Sequence, residues 1–421
     1  MTDTPRPRIA LFRQLGPGLI TGAADDDPSG IATYSQAGAQ FGFGLLWTML
    51  LTYPLMCAVQ LMSAEIGRVT GCGLAMSMRR VLPRAVVLFL VTLLFVANTI
   101  NIGADIAAMG AATKLVVGGE EKLYVLIFAA VSLGLQLFVP YRRYARILKW
   151  LTLVLLSYVV LVFMLRIDWL AVAKGLVFPF GPSSAGVATM VVAIFGTTIS
   201  PYLFFWQSAE EVEEIGANAD SHPLKDAPEE AKWELPRIRF DTIVGMGVSN
   251  VVALAVMIVT AATLHAAGKT DIQTAADAAQ ALKPVAGPFA FALFSLGIIG
   301  TGLLAIPVLA GSAAYAVGET LGFKCGLEHP PQQAIGFYAV IAAATVLGIG
   351  IEWSPLDPIK ALFWSAVING VVAGPILVAT LIAASSEKVM GQFKIGLRLQ
   401  VFGWATAVLM AGSSVMMLLQ R

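Results

Sequence analysis

The residues best equipped for chemistry are Asp25-Asp26-Asp27-Pro28-Ser29-Gly30, three carboxylates and a helix breaker inside an apolar segment from about Leu15 to about Phe43. A charge at the centre of a bilayer costs on the order of 2.5–3.5 kcal/mol on insertion scales, so three in succession imply a compensating cation. Pro28 lacks a backbone N–H and Gly30 favours unwinding, so a helix here is expected to stop near Asp27 and restart after Gly30. Freed carbonyls beside a carboxylate make an oxygen-rich cation site, which hydrocarbon tolerates only around a polar cavity. At about 100° per residue, three consecutive Asp cannot face one point. Asp27, next to the break, is the expected direct ligand, and Asp25 and Asp26 are expected to line the approach. The competing reading, a cytoplasmic loop between two short helices, fits poorly with long apolar flanks and no basic residue after the break.

A second interruption is expected in Phe195-Gly196-Thr197-Thr198-Ile199-Ser200-Pro201-Tyr202, where small and hydroxyl residues precede a mid-segment proline. Alone it would read as an ordinary proline kink. Paired with Asp27-Pro28, it reads as the second half of a binding site.

The elements that must position these residues follow from composition. With 421 residues, 57% hydrophobic and 13% charged, the chain reads as an all-α polytopic membrane protein. Its net charge of +1 says nothing of a partner, and no basic stripe suggests nucleic acid. Cys57, Cys72 and Cys325 lack metal-ligand spacing and read as packing residues. Met1 to Arg13 show no signal-peptide cleavage pattern.

Taking about 20 apolar residues as one span, eleven helices are expected near 14–43 (broken), 45–66, 85–113, 122–140, 147–166, 185–208 (broken), 240–265, 286–318, 334–351, 361–384 and 398–419. With the N-terminus inside, 19 of the 27 Lys and Arg fall on the cytoplasmic side and 8 outside. Arg6, Arg8 and Arg13, then Arg68, Arg79, Arg80 and Arg84, then Arg142, Arg143, Arg146 and Lys149 carry that bias. It predicts a cytoplasmic N-terminus and an external C-terminus. The long polar connection from about Ala209 to Arg239, with Glu210, Glu211, Glu213 and Glu214, reads as a solvated helix end, and His222 within it as a surface residue.

The two breaks fall at corresponding places if spans 1–5 (about 14–166) and 6–10 (about 185–384) are repeats, with span 11 (about 398–419) added to one transmembrane domain. An odd number of spans per repeat makes them inverted, an arrangement that builds substrate sites at the midplane.

At these residues the chain resembles the Nramp divalent-metal transporters, and more closely their Nramp-related magnesium-transporter branch. Asp27-Pro28-Ser29-Gly30 stands where that family has Asp-Pro-Gly-Asn, followed by a similar Ala32-Thr33-Tyr34-Ser35-Gln36-Ala37-Gly38-Ala39-Gln40-Phe41-Gly42. Thr197-Thr198-Ile199-Ser200-Pro201-Tyr202 falls on the family pattern Ala-x-x-Met-Pro-His. The resemblance implies a leucine-transporter-like five-plus-five fold in the cell membrane, no enzymatic activity and no cofactor. The implied partners are the bilayer and a transported divalent ion, with no obligate protein partner. Its site residues would be Asp27, Gly30, Thr197 and Ser200.

Two departures sharpen this. Gly30 replaces the family Asn and Ser200 the family Met, which removes the soft ligand and is expected to widen the cavity. Mg²⁺ dehydrates reluctantly and keeps several waters, so a roomy all-oxygen site suits it, with Mn²⁺ admitted and Ca²⁺ not excluded. Proton-coupled relatives carry His where Tyr202 stands, and an acid where Ala108 follows Asp105. A phenol, with a pKa of about 10, does not cycle near neutrality, so uncoupled uptake is expected. Asp105 reads equally as part of an exit path or proton site and as a structural acid bonded to Asn98, Asn101 or a facing helix.

Elsewhere, Glu65 and Arg68 read as a local i, i+3 pair, and His265 as an interfacial residue. Asn369 reads as part of the metal's outer shell or an interhelical hydrogen bond, and Gly300-Thr301-Gly302 as close helix packing. No Met adjoins either break, so no thioether ligand is expected. A proton-coupled Mn²⁺/Fe²⁺ transporter is the main alternative. A membrane transferase using Mg²⁺ would need a second acidic cluster and basic residues for phosphates, which the sixth span lacks. An amine carrier of similar architecture remains open.

Overall fold

The computed structural model describes residues 16–139, 152–178, 186–217, 220–283, 287–350 and 357–419. The described residues form helices and connections: α1 (Pro17–Asp25), α2 (Pro28–Phe41), α3 (Trp47–Thr70), α4 (Leu74–Arg79), α5 (Arg84–Val117), α6 (Glu121–Phe138), α7 (Leu156–Met164), α8 (Trp169–Val177) and α9 (Val187–Thr198). These continue as α10 (Pro201–Gly216), α11 (Ala231–Thr260), α12 (Ala275–Ala279), α13 (Ala290–Leu321), α14 (Ile335–Ile349), α15 (Pro358–Ser385), α16 (Glu387–Met390) and α17 (Leu397–Leu419).

Among the described residues, eight helical stretches are long and apolar enough to cross a bilayer, from Trp47–Thr70 to Leu397–Leu419. Of the other three expected spans, the first is split between α1 and α2. The fifth begins in 140–151, outside the described residues, and the ninth is the 15-residue α14. Arg6, Arg8, Arg13, Arg142, Arg143, Arg146 and Lys149, on which the expected orientation leans, also lie outside the described residues.

Proline alone does not explain the two interruptions. Pro54, Pro307 and Pro375 sit inside α3, α13 and α15, which run on unbroken. At Pro28 and Pro201, by contrast, the proline is the first residue of a new helix and the preceding Asp27 or Ser200 is extended, with ψ of 170° and 129°. That is the preferred place for proline, where its missing N–H would have been unsatisfied anyway. The difference lies in side chains able to satisfy the freed backbone.

The half-helices sit at the centre of the bundle. α1 and α2 pack on α11, α9 packs on α15 and α2, and α5 runs along α13 and α15. α1 meets α11 at Gly22 and Gly245, where a Cβ on Gly22 would lie 2.3 Å from the Gly245 carbonyl oxygen. Only glycine allows that approach.

At the end of the bundle where α1 begins, the sequence expectation for the acidic run is overturned. α10 continues to Gly216, Glu210, Glu211 and Glu213 are buried, and Arg237 binds Glu211 at 2.6 Å and Glu234 at 2.8 Å. Glu213 accepts from the Tyr315 hydroxyl and from Leu327 N–H. Arg237 from α11 covers Glu211 and neutral donors hold Glu213, so these acids do not face water. The local Glu65–Arg68 pair is likewise replaced: Arg68 binds Glu230 at 2.9 Å, and Glu65 lies 3.7 Å from Arg239. His222 is exposed, as expected for a surface residue.

Candidate ion site between two interrupted helices

Asp27 caps α2. Its Oδ1 accepts from Gly30 N–H at 2.7 Å and from Ser29 Oγ at 2.6 Å, while Oδ2 accepts from Asn101 Nδ2 at 2.9 Å. A side-chain cap of this kind is worth about 0.5–2 kcal/mol, and here it also fixes the carboxylate beside the gap in the helix. Asp27 is 1% exposed.

The second gap is stabilised from within. Ser200 Oγ lies 2.8 Å from the Gly196 carbonyl and 2.9 Å from that of Thr197. In an unbroken helix the Thr197 carbonyl would accept from residue 201, which is a proline. The Ser200 hydroxyl stands in for that missing donor. The same logic joins the two gaps: the Ala24 carbonyl would accept from residue 28, also a proline, and the Tyr202 hydroxyl donates to it at 3.1 Å. Each proline thus leaves a carbonyl that a hydroxyl near the second gap satisfies.

The gaps touch at Gly30. A Cβ there would meet Thr197 Oγ1 at 3.0 Å, Tyr34 Cε2 at 3.3 Å and Asp27 Oδ1 at 3.5 Å. This corrects the expectation of a widened cavity, because the side of Gly30 is filled by Thr197 and Tyr34. Asp27, Gly30, Thr197 and Ser200 are therefore brought together and buried.

Asp25 and Asp26 turn elsewhere. Ser249 Oγ of α11 lies 2.6 Å from Asp25 Oδ2 and 3.0 Å from Asp26 Oδ1, and Asp25 Oδ1 is buried with no hydrogen-bond partner. Among the described residues, no three His, Cys, Asp or Glu side chains converge on a point that could hold a metal, as the angular argument requires.

Asp105 lies on α5 one turn after Asn101 and is fully buried, with neither oxygen hydrogen-bonded among the described residues. The structural-acid expectation fails, because Asn98 binds the Leu309 carbonyl and Ser312 while Asn101 binds Asp27. Asn369 on α15 is also fully buried, and among the described residues both amide atoms are unpartnered, so the expected interhelical bond is not formed there. Met109 and Pro28 both border Gly302, within 3.4 Å of where a Cβ on it would stand.

Sequence reasoning missed Ser249 and the role of Asn101. It also missed Ser365, whose Oγ lies 2.6 Å from Asn101 Oδ1. Another omission is Asp241, whose carboxylate accepts from the N–H groups of Gly16, Gly18 and Leu19 at 3.0, 2.7 and 3.1 Å and so caps α1 from α11. Polar residues inside apolar spans were the available signal, but it does not say which carboxylate each one meets.

Interrupted helices enclosing a buried, oxygen-lined site define a multi-pass membrane transporter, not an enzyme. Residues 18–420 match the family described as natural resistance-associated macrophage protein-like, Nramp, and the chain belongs to that family. It is 28% identical over 420 residues to the divalent metal cation transporter MntH of Deinococcus radiodurans, covering 97% of this chain and 90% of the relative. The crystal structure of the Eremococcus coleocola manganese transporter, bound to an aromatic bis-isothiourea compound, superposes with a TM-score of 0.75 at 19% identity, covering 99% of this chain and 88% of that one. The nucleobase-cation-symport-1 family transporter MHP1 shares the fold more distantly, with a TM-score of 0.58 at 12% identity, covering 96% and 92% of the two chains.

Proposed function

We propose that the protein imports Mg²⁺, with Mn²⁺ also admitted, across the cell membrane by alternating access, without proton coupling. The observation that carries this is the Asp27 carboxylate, buried where the two gaps meet and ion-paired to no basic side chain among the described residues. A divalent ion is its natural counter-charge. Asp27 would be the direct ligand, with Thr197 Oγ1 and the lone pairs of Ser200 Oγ beside it. No thioether takes the place of Ser200, and an all-oxygen set favours a hard ion. Thr197 and Tyr34 close the Gly30 side in this conformation, so room for retained water would come from movement of the half-helices.

The names of the relatives, a divalent metal cation transporter and a manganese transporter, support the cation class. On this reading residues 14–166 and 185–384 are inverted repeats, 398–419 is an added helix, and the N-terminus faces the cytoplasm. Uptake would be driven by the ion gradient and by a potential worth about 2.3 kcal/mol per charge per 100 mV. Tyr202, whose hydroxyl is committed to the Ala24 carbonyl, replaces a protonatable imidazole.

The test is Mg²⁺ and Mn²⁺ influx into proteoliposomes carrying a luminal pH dye. Influx of both ions with constant luminal pH is the expected result, and acidification tracking influx would overturn the uncoupled reading. Asp105 favours the second reading, a proton-coupled Mn²⁺/Fe²⁺ transporter, because a buried acid with no partner can carry a proton.

A further inference from the structure

We infer that Ser29 and Asn101 hold the Asp27 carboxylate as a one-point ligand and thereby select against Ca²⁺, an inference that rests on the divalent-cation reading above. An ionised carboxylate has about four lone-pair positions. Ser29 Oγ and Gly30 N–H take up Oδ1, Asn101 Nδ2 takes one position on Oδ2, and the Ser29 N–H also bears on the carboxylate. At most one position, on Oδ2, is left for an ion.

Chelation through both oxygens requires an opening on each, so it would first have to break the Ser29 or Gly30 bond. Both donors are buried, Ser29 at 1% exposure, so each bond broken leaves a buried polar group to be satisfied again. Ca²⁺ gathers six to eight oxygens and readily takes a carboxylate through both of them. Mg²⁺ uses near-octahedral geometry with one or two carboxylates and retained waters. A carboxylate open at a single position therefore costs Mg²⁺ and Mn²⁺ little and Ca²⁺ a favoured mode of binding.

The orientation of Asn101 is set from behind. Ser365 Oγ lies 2.6 Å from Asn101 Oδ1, which turns the amide nitrogen toward the acceptor-only carboxylate. Asn101 and Ser365 are both fully buried, so the relay from α15 through α5 to Asp27 is closed to water. Ser29 and Asn101 are positioning residues, acting through Asp27. Ser29 stands where the family pattern has glycine, which offers no hydroxyl to fill Oδ1.

The experiment measures inhibition of Mn²⁺ influx into proteoliposomes by Mg²⁺ and by Ca²⁺, for wild type, Ser29→Ala and Asn101→Ala. The ratio of the two inhibition constants is the readout, because a merely structural defect lowers influx without moving it. Ser29→Ala is expected to shift the ratio toward Ca²⁺ by roughly tenfold, and Asn101→Ala to shift it in the same direction. Should Asn101→Ala fail to fold, Ser29→Ala, which deletes one hydroxyl, carries the test. An unchanged ratio in Ser29→Ala, with wild type transporting, overturns the inference. A wild type that moves neither Mn²⁺ nor Mg²⁺ overturns the divalent-cation reading instead.

Discussion

The midplane and the end of the bundle where α1 begins bury acids in opposite ways. At that end, Glu211 meets Arg237, Glu230 meets Arg68 and Glu65 lies near Arg239. At the midplane, Asp25, Asp26, Asp27 and Asp105 form no ion pair among the described residues, and Asp105 lacks even a hydrogen bond. A buried charge without a counter-charge costs several kcal/mol. One region has its neutralising charges built into the chain, while the other, on the proposed reading, leaves that place to a transported ion.

This contrast can be broken by substitution. The largest effect is expected from Asp27→Ala, which should reduce Mg²⁺ influx to that of empty liposomes while leaving the detergent-solubilised protein folded. Residual influx near wild type would remove the midplane's special status. Arg237→Ala should do the reverse, destabilising by about 3–5 kcal/mol because Glu211 is left buried and unpaired. Asp105→Asn strands no partner and should leave thermal unfolding unchanged or raised, so equal losses in Arg237→Ala and Asp105→Asn would erase the distinction.

Tyr202→Phe should cost about 1–3 kcal/mol, the penalty for the orphaned Ala24 carbonyl, read as a lower unfolding temperature. Its influx should keep the wild-type pH dependence. The smallest effect belongs to Asp277, in the connection between α11 and α13. Burial pushes its carboxyl up, but donation from Lys269 and bonds from Thr274 and Gln273 outweigh this and hold it below the ordinary range. A depressed carboxyl contributes stability above the unfolded value of about 3.9, and that stability is lost as pH falls through the lower folded value. Asp277→Asn should therefore cost under about 1 kcal/mol at neutral pH, a difference that vanishes in unfolding scans below the depressed value.

What the sequence made legible was local. Proline's missing donor and the adjoining carboxylate or hydroxyl forecast both gaps, because the chemistry lies within four residues of each break. The partners were not legible. Asn101 is 74 residues from Asp27, and Ser365 is 264 from Asn101. Asn101 was considered only as a partner for Asp105, one turn further along α5. The acidic run after Ala209 was misread for the same reason: its neutralising arginine comes from α11, and a run of like charges says nothing of a cation arriving from another helix. The closure beside Gly30 also escaped, since deleting a side chain says what leaves and not which neighbour moves in.

The carboxylate of Asp241 takes on a mechanical meaning in this light. Three amides at the foot of α1 hang from one acid on α11, so the half-helix behaves as a lever fastened at its lower tip. Swinging it outward means opening that clip in one event.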